Sequence, residues 1–189
     1  MTGVSSDGAS LGDGAELRPL RPEHAEEFLA HIDRGREFVG RFIRLPDLVT
    51  DVDSARAYLD GYARHAAADT GRLDGIWSDG RLVGGVLLRS MDVAEGIAEV
   101  GCWLEPTAAG RGLVTRAARA LIRWAVEERG IHRIEWRVAP QNVASIAVAR
   151  RLGMRRDGVL RERYLHRGTR YDAEVWSVLA PEWRAAQAG

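Results

Sequence analysis

The order of predicted elements gives this chain a single α+β domain, one mixed sheet with helices packed on it. Three observations predict it. Residues 20–70 repeat apolar side chains at helical spacing. Residues 72–104 read as three consecutive strands, and from the third of these the chain alternates strand, helix, strand, helix, strand before a closing strand. The 189 residues are 46% hydrophobic, enough for one full core, and no repeat or interdomain linker divides them.

The start, "MTGVSSDGASLGDG", is rich in Gly, Ser and Asp and reads as a disordered leader over residues 1–14, ahead of a single domain over 15–189. A short strand is expected near Glu16–Leu20. Pro22 then opens a helix with Phe28, Leu29 and Ile32 on one face. "REFVGRFIRLP" reads as a short amphipathic helical turn ended by Pro46. Asp51 or Asp53 caps a further helix carrying Ala55, Tyr58, Leu59 and Tyr62 on one face. Two strands follow around the turn Ser78-Asp79-Gly80, then the apolar strand "GIAEVGCWLEP".

Val114, Ala118, Leu121 and Ala125 stripe a long helix to about Arg129, and Gly130 lies just past its end. Ile134, Trp136 and Val138 alternate in the next strand. Asn142 stands where it can cap the helix "PQNVASIAVARRLG", which Gly153 ends. Strands around Met154–Leu165 and Tyr171–Leu179 close the pattern.

Composition excludes several chemistries. All 27 basic residues are arginine, so Schiff-base lysine chemistry and a lysine-dependent phosphate loop are ruled out. Cys102 is the only cysteine, and the histidines at 24, 31, 65, 132 and 166 show no metal-ligand spacing; no metal is expected. No run approaches the length of a membrane-spanning helix, and no secretory pattern opens the chain, so a cytoplasmic protein with no membrane partner is the expectation. A net charge of zero argues against general nucleic-acid binding. It hides an asymmetry: residues 1–100 hold 11 arginines against 18 acids, a balance of −7, and residues 101–189 hold 16 against 9, a balance of +7. That split suggests an anionic ligand on the second half and a cationic one facing the first.

"EPTAAGRGLVTRA" places Gly110 and Gly112 directly before a helix. Two readings stand: a tight strand-to-helix turn, or a backbone that an anion approaches closely, favoured by the helix dipole. Asn142 and Ser145, three apart, share a helix face and read on their own as a cap with a tolerated first-turn serine. Glu99 is an acid in an otherwise apolar strand, which places it on a solvent face in the simplest reading.

The segment "WLEPTAAGRGLVTRAARALIRWAVEERGIHRIEWRVAPQNVASIAVARRLGMRRDGVLRE" resembles the acetyl-CoA-binding half of GNAT N-acetyltransferases, and within them is most similar to the RimJ/RimL-type branch. The resemblance covers residues 97–180; "LRPLRPEHAEEFLAHIDRGREFVGRFI" is a weaker match to that branch's first segment. The family's pyrophosphate loop, Arg/Gln-x-x-Gly-x-Gly/Ala, is matched by Thr107 to Gly112, with Thr107 departing from it. Asn142-x-x-Ser145 followed by Leu152-Gly153-Met154 matches the second signature.

The resemblance implies the GNAT acyl-CoA N-acyltransferase fold, a mostly antiparallel central sheet with helices on both faces. It implies acetyl-CoA as cosubstrate, its pyrophosphate met by the amides of Arg111, Gly112, Leu113 and Val114, with Gly110 and Gly112 admitting the phosphate oxygens. Asn142 would bond the pantetheine arm as well as cap its helix, and Trp103 would border the acyl pocket. Arg150, Arg151, Arg155 and Arg156 are either solvated helix-end charge or a contact to the 3′-phosphate. The implied reaction is direct attack of a primary amine on the thioester. A backbone amide near Trp103–Leu104 would hold the oxyanion, and Ser145 would protonate the departing sulfur. Glu99, as a desolvated carboxylate of raised pKa, or Glu162 would serve as base. The acceptor is a protein N-terminus or a small-molecule amine, and a homodimer is allowed. The alternative from another class is a non-catalytic acyl-CoA-binding regulatory protein. Keeping Asn142 and Ser145 together with the loop favours the enzyme.

Overall fold

The computed structural model describes residues 8–188. Its strands are β1 (Ala9–Gly12), β2 (Ala15–Pro19), β3 (Arg72–Ser78), β4 (Arg81–Asp92), β5 (Ile97–Leu104), β6 (Arg133–Val138), β7 (Arg155–His166) and β8 (Thr169–Leu179). They form one sheet in the order β1-β2-β3-β4-β5-β6-β8-β7, antiparallel throughout except between β5 and β6. The helices are α1 (Ala25–Gly40), α2 (Leu45–Leu48), α3 (Val52–Ala67), α4 (Leu113–Glu128), α5 (Val143–Arg151) and α6 (Ala180–Ala188).

Strand alternation distributes the core to two faces. On one, Ala98 and Val100 of β5 and Ile134, Trp136 and Val138 of β6 pack against Leu113, Ala117, Leu121 and Ala125 of α4. On the other, Trp103 of β5 and Leu73 of β3 pack against Phe28 and Ile32 of α1 and Leu59 of α3. Leu121 and Ile122 are fully buried, each side chain contributing about 2 kcal/mol of transfer free energy. Asp51, not Asp53, caps α3, accepting from the Ser54 amide at 2.8 Å.

Two expectations need correction. The leader does not extend to Gly14: Ala9 and Ser10 pair with Leu17 and Glu16, and Leu11 is buried in the core. One apolar side chain inside a polar run was enough to anchor a hairpin, which composition alone does not register. Residues 1–7 lie outside the described residues. Pro46 does not end a helical turn; it sits in the first turn of α2, where a missing N–H costs nothing, while α1 runs unbroken to Gly40.

The feature that positions a site lies between β5 and β6. Their parallel pairing stops at Val100 opposite Trp136, although β5 runs on to Leu104 and β6 to Val138. Just before that point β4 carries a bulge, with Arg89 the extra residue between Leu88 and Ser90. A bulge sharpens local bend and twist, and the two strands part into a wedge beyond it.

Candidate active site

Beyond Val100 the backbone of β5 keeps β4 on one side and has no partner strand on the side that faces the wedge. Glu105 donates its N–H to the Val83 carbonyl at 2.9 Å on the β4 side. By antiparallel alternation the Trp103 and Gly101 amides also face β4, opposite Gly85 and Leu87, so the Cys102 and Leu104 amides face the gap. Of the two amides nominated near Trp103–Leu104, Leu104 is therefore the one that opens on the wedge. The Trp103 side chain is 4% exposed and lies over Gly85, where an added Cβ would meet its ring at 2.2 Å.

The loop after β5 leads straight to the same wedge. A short 3₁₀ turn over Pro106–Ala108 hands the chain to Gly110 (φ +80°) and Gly112 (φ +70°). Gly112 is the N-cap of α4 and supplies no capping side chain; the first intrahelical bond is Arg116 N–H to its carbonyl at 3.1 Å. The amides of Leu113, Val114 and Thr115 thus have no intrahelical acceptor at the positive end of a four-turn helix. A Cβ at Gly110 would meet nothing within 4 Å. Both glycines answer a left-handed backbone and an open approach, not tight packing. The Arg111 guanidinium turns back to the Ser78 hydroxyl at 3.1 Å, clipping the loop to the β3–β4 turn.

Across the wedge stands α5. Asn142 caps it, its Oδ1 accepting the Ser145 N–H at 3.2 Å. The Ser145 hydroxyl accepts the indole N–H of Trp136 at 2.9 Å, from the last β6 residue paired with β5. That bond occupies an acceptor site on the oxygen and leaves the hydroxyl proton free to be donated.

The two candidate carboxylates stand in different settings. Glu99 lies on the face opposite α4, 16% exposed, between Arg89 (3.1 Å) and Arg137 (3.4 Å). It is neither a solvent-facing acid nor an isolated desolvated one, because the bulge delivers Arg89 and β6 delivers Arg137 to its two oxygens. Glu162 comes from a different part of the sheet. It sits on edge strand β7, with β8 between it and β6, in a bulge where Arg161, Glu162 and Arg163 oppose Asp172 alone. Its backbone there is left-handed (φ +49°), held by its N–H to Asp172 at 2.8 Å. Burial pushes the Cys102 thiol up to about 12, as suits a small core residue.

Residues 15–155 match the model of the family described as Acetyltransferase (GNAT) domain. The chain belongs to the GNAT acetyltransferase family. It is 32% identical over 171 residues to "Probable N-acetyltransferase YjcK" of Bacillus subtilis, covering 88% of this chain and 94% of that protein. To the ribosomal-protein-serine acetyltransferase of Escherichia coli it is 20% identical, covering 80% and 85%. Among solved structures it superposes on RimL, a ribosomal L7/L12 alpha-N-protein acetyltransferase in complex with coenzyme A, with a TM-score of 0.87 at 18% identity over 92% of this chain and 98% of that one. The microcin C7 self-immunity acetyltransferase MccE, in complex with acetyl-CoA and AMP, gives 0.86 at 22% identity, covering 93% and 98%. These neighbours share the GNAT fold.

Within that GNAT frame, three of the four arginines at and after the end of α5 have partners of their own. Arg150 lies over the Trp176 ring, Arg155 pairs with Glu182, and Arg156 pairs with Glu174. Sequence reasoning missed two groups: Trp136, which holds the Ser145 oxygen, and a buried carboxylate, Glu105, at the root of the loop. Trp136 read only as an inward position of an alternating strand. Glu105 read only as the residue before a proline. Among the described residues no group of three or more His, Cys, Asp or Glu side chains is placed to hold a metal ion. No helix of the described residues is long and apolar enough to cross a membrane.

Proposed function

We propose that the protein transfers an acetyl group from acetyl-CoA to the α-amine of a protein N-terminus. The observation that carries this reading is the convergence on one wedge of unpaired β5 amides, the uncapped N-terminus of α4, and the Ser145 hydroxyl. The loop amides from Arg111 to Val114 receive the pyrophosphate, and Asn142 lies beside the pantetheine arm. The Leu104 amide donates to the oxygen that becomes charged as the amine nitrogen attacks the thioester carbon. When the carbon–sulfur bond breaks, Ser145 gives its proton to the sulfur and recovers one from solvent. The amine proton leaves to water.

The carboxylates support an α-amine as acceptor. Glu99 is held by two guanidiniums, so the acceptor is best supplied already neutral. A peptide α-amine, with a pKa of about 7.7–8.0, is roughly a third neutral at pH 7.5, whereas a lysine side chain near 10.4 is neutral only about once in a thousand molecules. The name of RimL, an alpha-N-protein acetyltransferase, points to the same acceptor class in that protein. The test is a competition between a peptide with a free N-terminus and the same peptide with its N-terminus blocked and one internal lysine. Acetylation should go to the α-amine by at least about a hundredfold in kcat/KM. Comparable rates on the two would refute the acceptor class while leaving the transfer itself standing.

A further inference from the structure

Glu105 closes β5 and opens the cofactor loop, yet it is only 1% exposed. A buried carboxylate is costly unless it is paired and hydrogen-bonded, and this one is met from three elements. Its Oε2 faces α1, receiving Arg34 Nε at 3.1 Å and His31 Nδ1 at 3.3 Å. Its Oε1 receives Arg81 Nη2 at 2.6 Å from β4 and the Thr107 hydroxyl at 2.7 Å from the loop. Trp103 Nε1 donates to His31 Nε2 at 2.9 Å, which fixes the ring proton on Nδ1, toward Glu105. Burial lowers His31 to about 4, so the ring is neutral and Glu105 is the charged member of this chain of groups. Burial also works against the Glu105 charge, but hydrogen bonds from Thr107 and Arg34 and the charges of Arg34 and Arg81 outweigh it and hold the carboxyl below its usual range.

Thr107 is the one position where the loop departs from the family's Arg/Gln, and its hydroxyl is the loop's side-chain link to this carboxylate. We propose that Glu105 is a positioning residue. Through one oxygen it holds α1, through the other it holds Thr107, and so it sets the angle at which the loop's amides meet the pyrophosphate. The proposal rests on the assignment of that loop to acetyl-CoA. Thr107 is itself exposed, so its side chain can be changed with little effect on packing.

The experiment compares Thr107→Val, which removes the hydroxyl at nearly equal volume, with Thr107→Ser, which keeps it. Coenzyme A affinity is read by calorimetry, alongside KM, kcat and Tm. Thr107→Val should weaken coenzyme A binding and raise the KM for acetyl-CoA about tenfold, the scale of one charge-assisted hydrogen bond. Its kcat should stay within about twofold, because no reacting atom is touched, and Thr107→Ser should restore wild-type affinity. In the Glu105→Gln background, Thr107→Val should add nothing further, since the partner is already lost. Unchanged coenzyme A affinity in Thr107→Val, or additive losses in the double variant, overturns the positioning role. Wild-type protein that binds no coenzyme A overturns the loop assignment instead. If Glu105→Gln does not fold, the Thr107 pair decides alone.

Discussion

Gly112 offers a way to separate backbone strain from ligand access, two costs that most loop substitutions mix. Its φ of +70° lies in the left-handed region, and a Cβ built there meets only Arg116 Nη1, at 3.7 Å. Gly112→Ala therefore loses no packing; its stability cost is the left-handed backbone, about 1–2 kcal/mol. Asparagine tolerates that conformation better, so Gly112→Asn should be more stable than Gly112→Ala. Ligand access runs the other way. Any side chain stands beside the free amides of Leu113 and Val114, and a larger one excludes more of the phosphate. Losing one or two charge-assisted hydrogen bonds costs about 3 kcal/mol, or roughly a hundredfold in Kd. Thermal unfolding should rank wild type above Asn above Ala. Calorimetry with coenzyme A should rank wild type far above Ala, with Asn equal to Ala or weaker. If affinity instead follows stability, with Asn binding better than Ala, the glycine serves only its turn and the amides do not receive the pyrophosphate.

Ser145→Ala should lower kcat about a hundredfold with the KM for acetyl-CoA little changed. It also strands the Trp136 indole N–H, 2% exposed in total, at about 1–3 kcal/mol of stability; the double variant with Trp136→Phe should regain part of that stability and none of the rate. Glu99→Gln should leave the pH profile of kcat/KM tracking the acceptor amine's own pKa; a loss that grows below that pKa would restore Glu99 as the base. His31 links stability to pH. The unfolded ring titrates near 6.5 and the folded one at about 4, so the unfolded state takes up the proton first as pH falls. The full contribution is present above 6.5 and is lost between there and 4, a change of about 3 kcal/mol that chemical denaturation of a His31→Asn variant should not show over that window.

Much of the fold was legible because it rests on period. Val114, Ala118, Leu121 and Ala125 recur at helical spacing and are all buried under α4, and Asn142 followed by Ser145 reads as a cap and is one. The loop was legible for a similar reason, since two glycines before a helix have few uses. What escaped was contact between distant residues. His31 and Glu105 are 74 positions apart, and only the packing of α1 over the end of β5 joins them. Glu99 looked isolated in sequence because Arg89 reaches it through a bulge and Arg137 from a strand 38 residues on. The setting of Glu162 was hidden for the same kind of reason: three residues of β7 face one of β8, so pairing partners counted along the strand are off by two beyond Leu160.

The most direct test of the account is thiol release. Purified protein is mixed with acetyl-CoA and a peptide bearing a free N-terminus, and free coenzyme A and acetylated peptide are quantified together. The account predicts that thiol appears only when the peptide is present, in one-to-one proportion to peptide acetylated on its α-amine, and that Ser145→Ala slows both equally. Protein that binds acetyl-CoA in calorimetry but releases no thiol with any peptide or small amine would contradict it, and would mark the chain as an acyl-CoA-binding regulator.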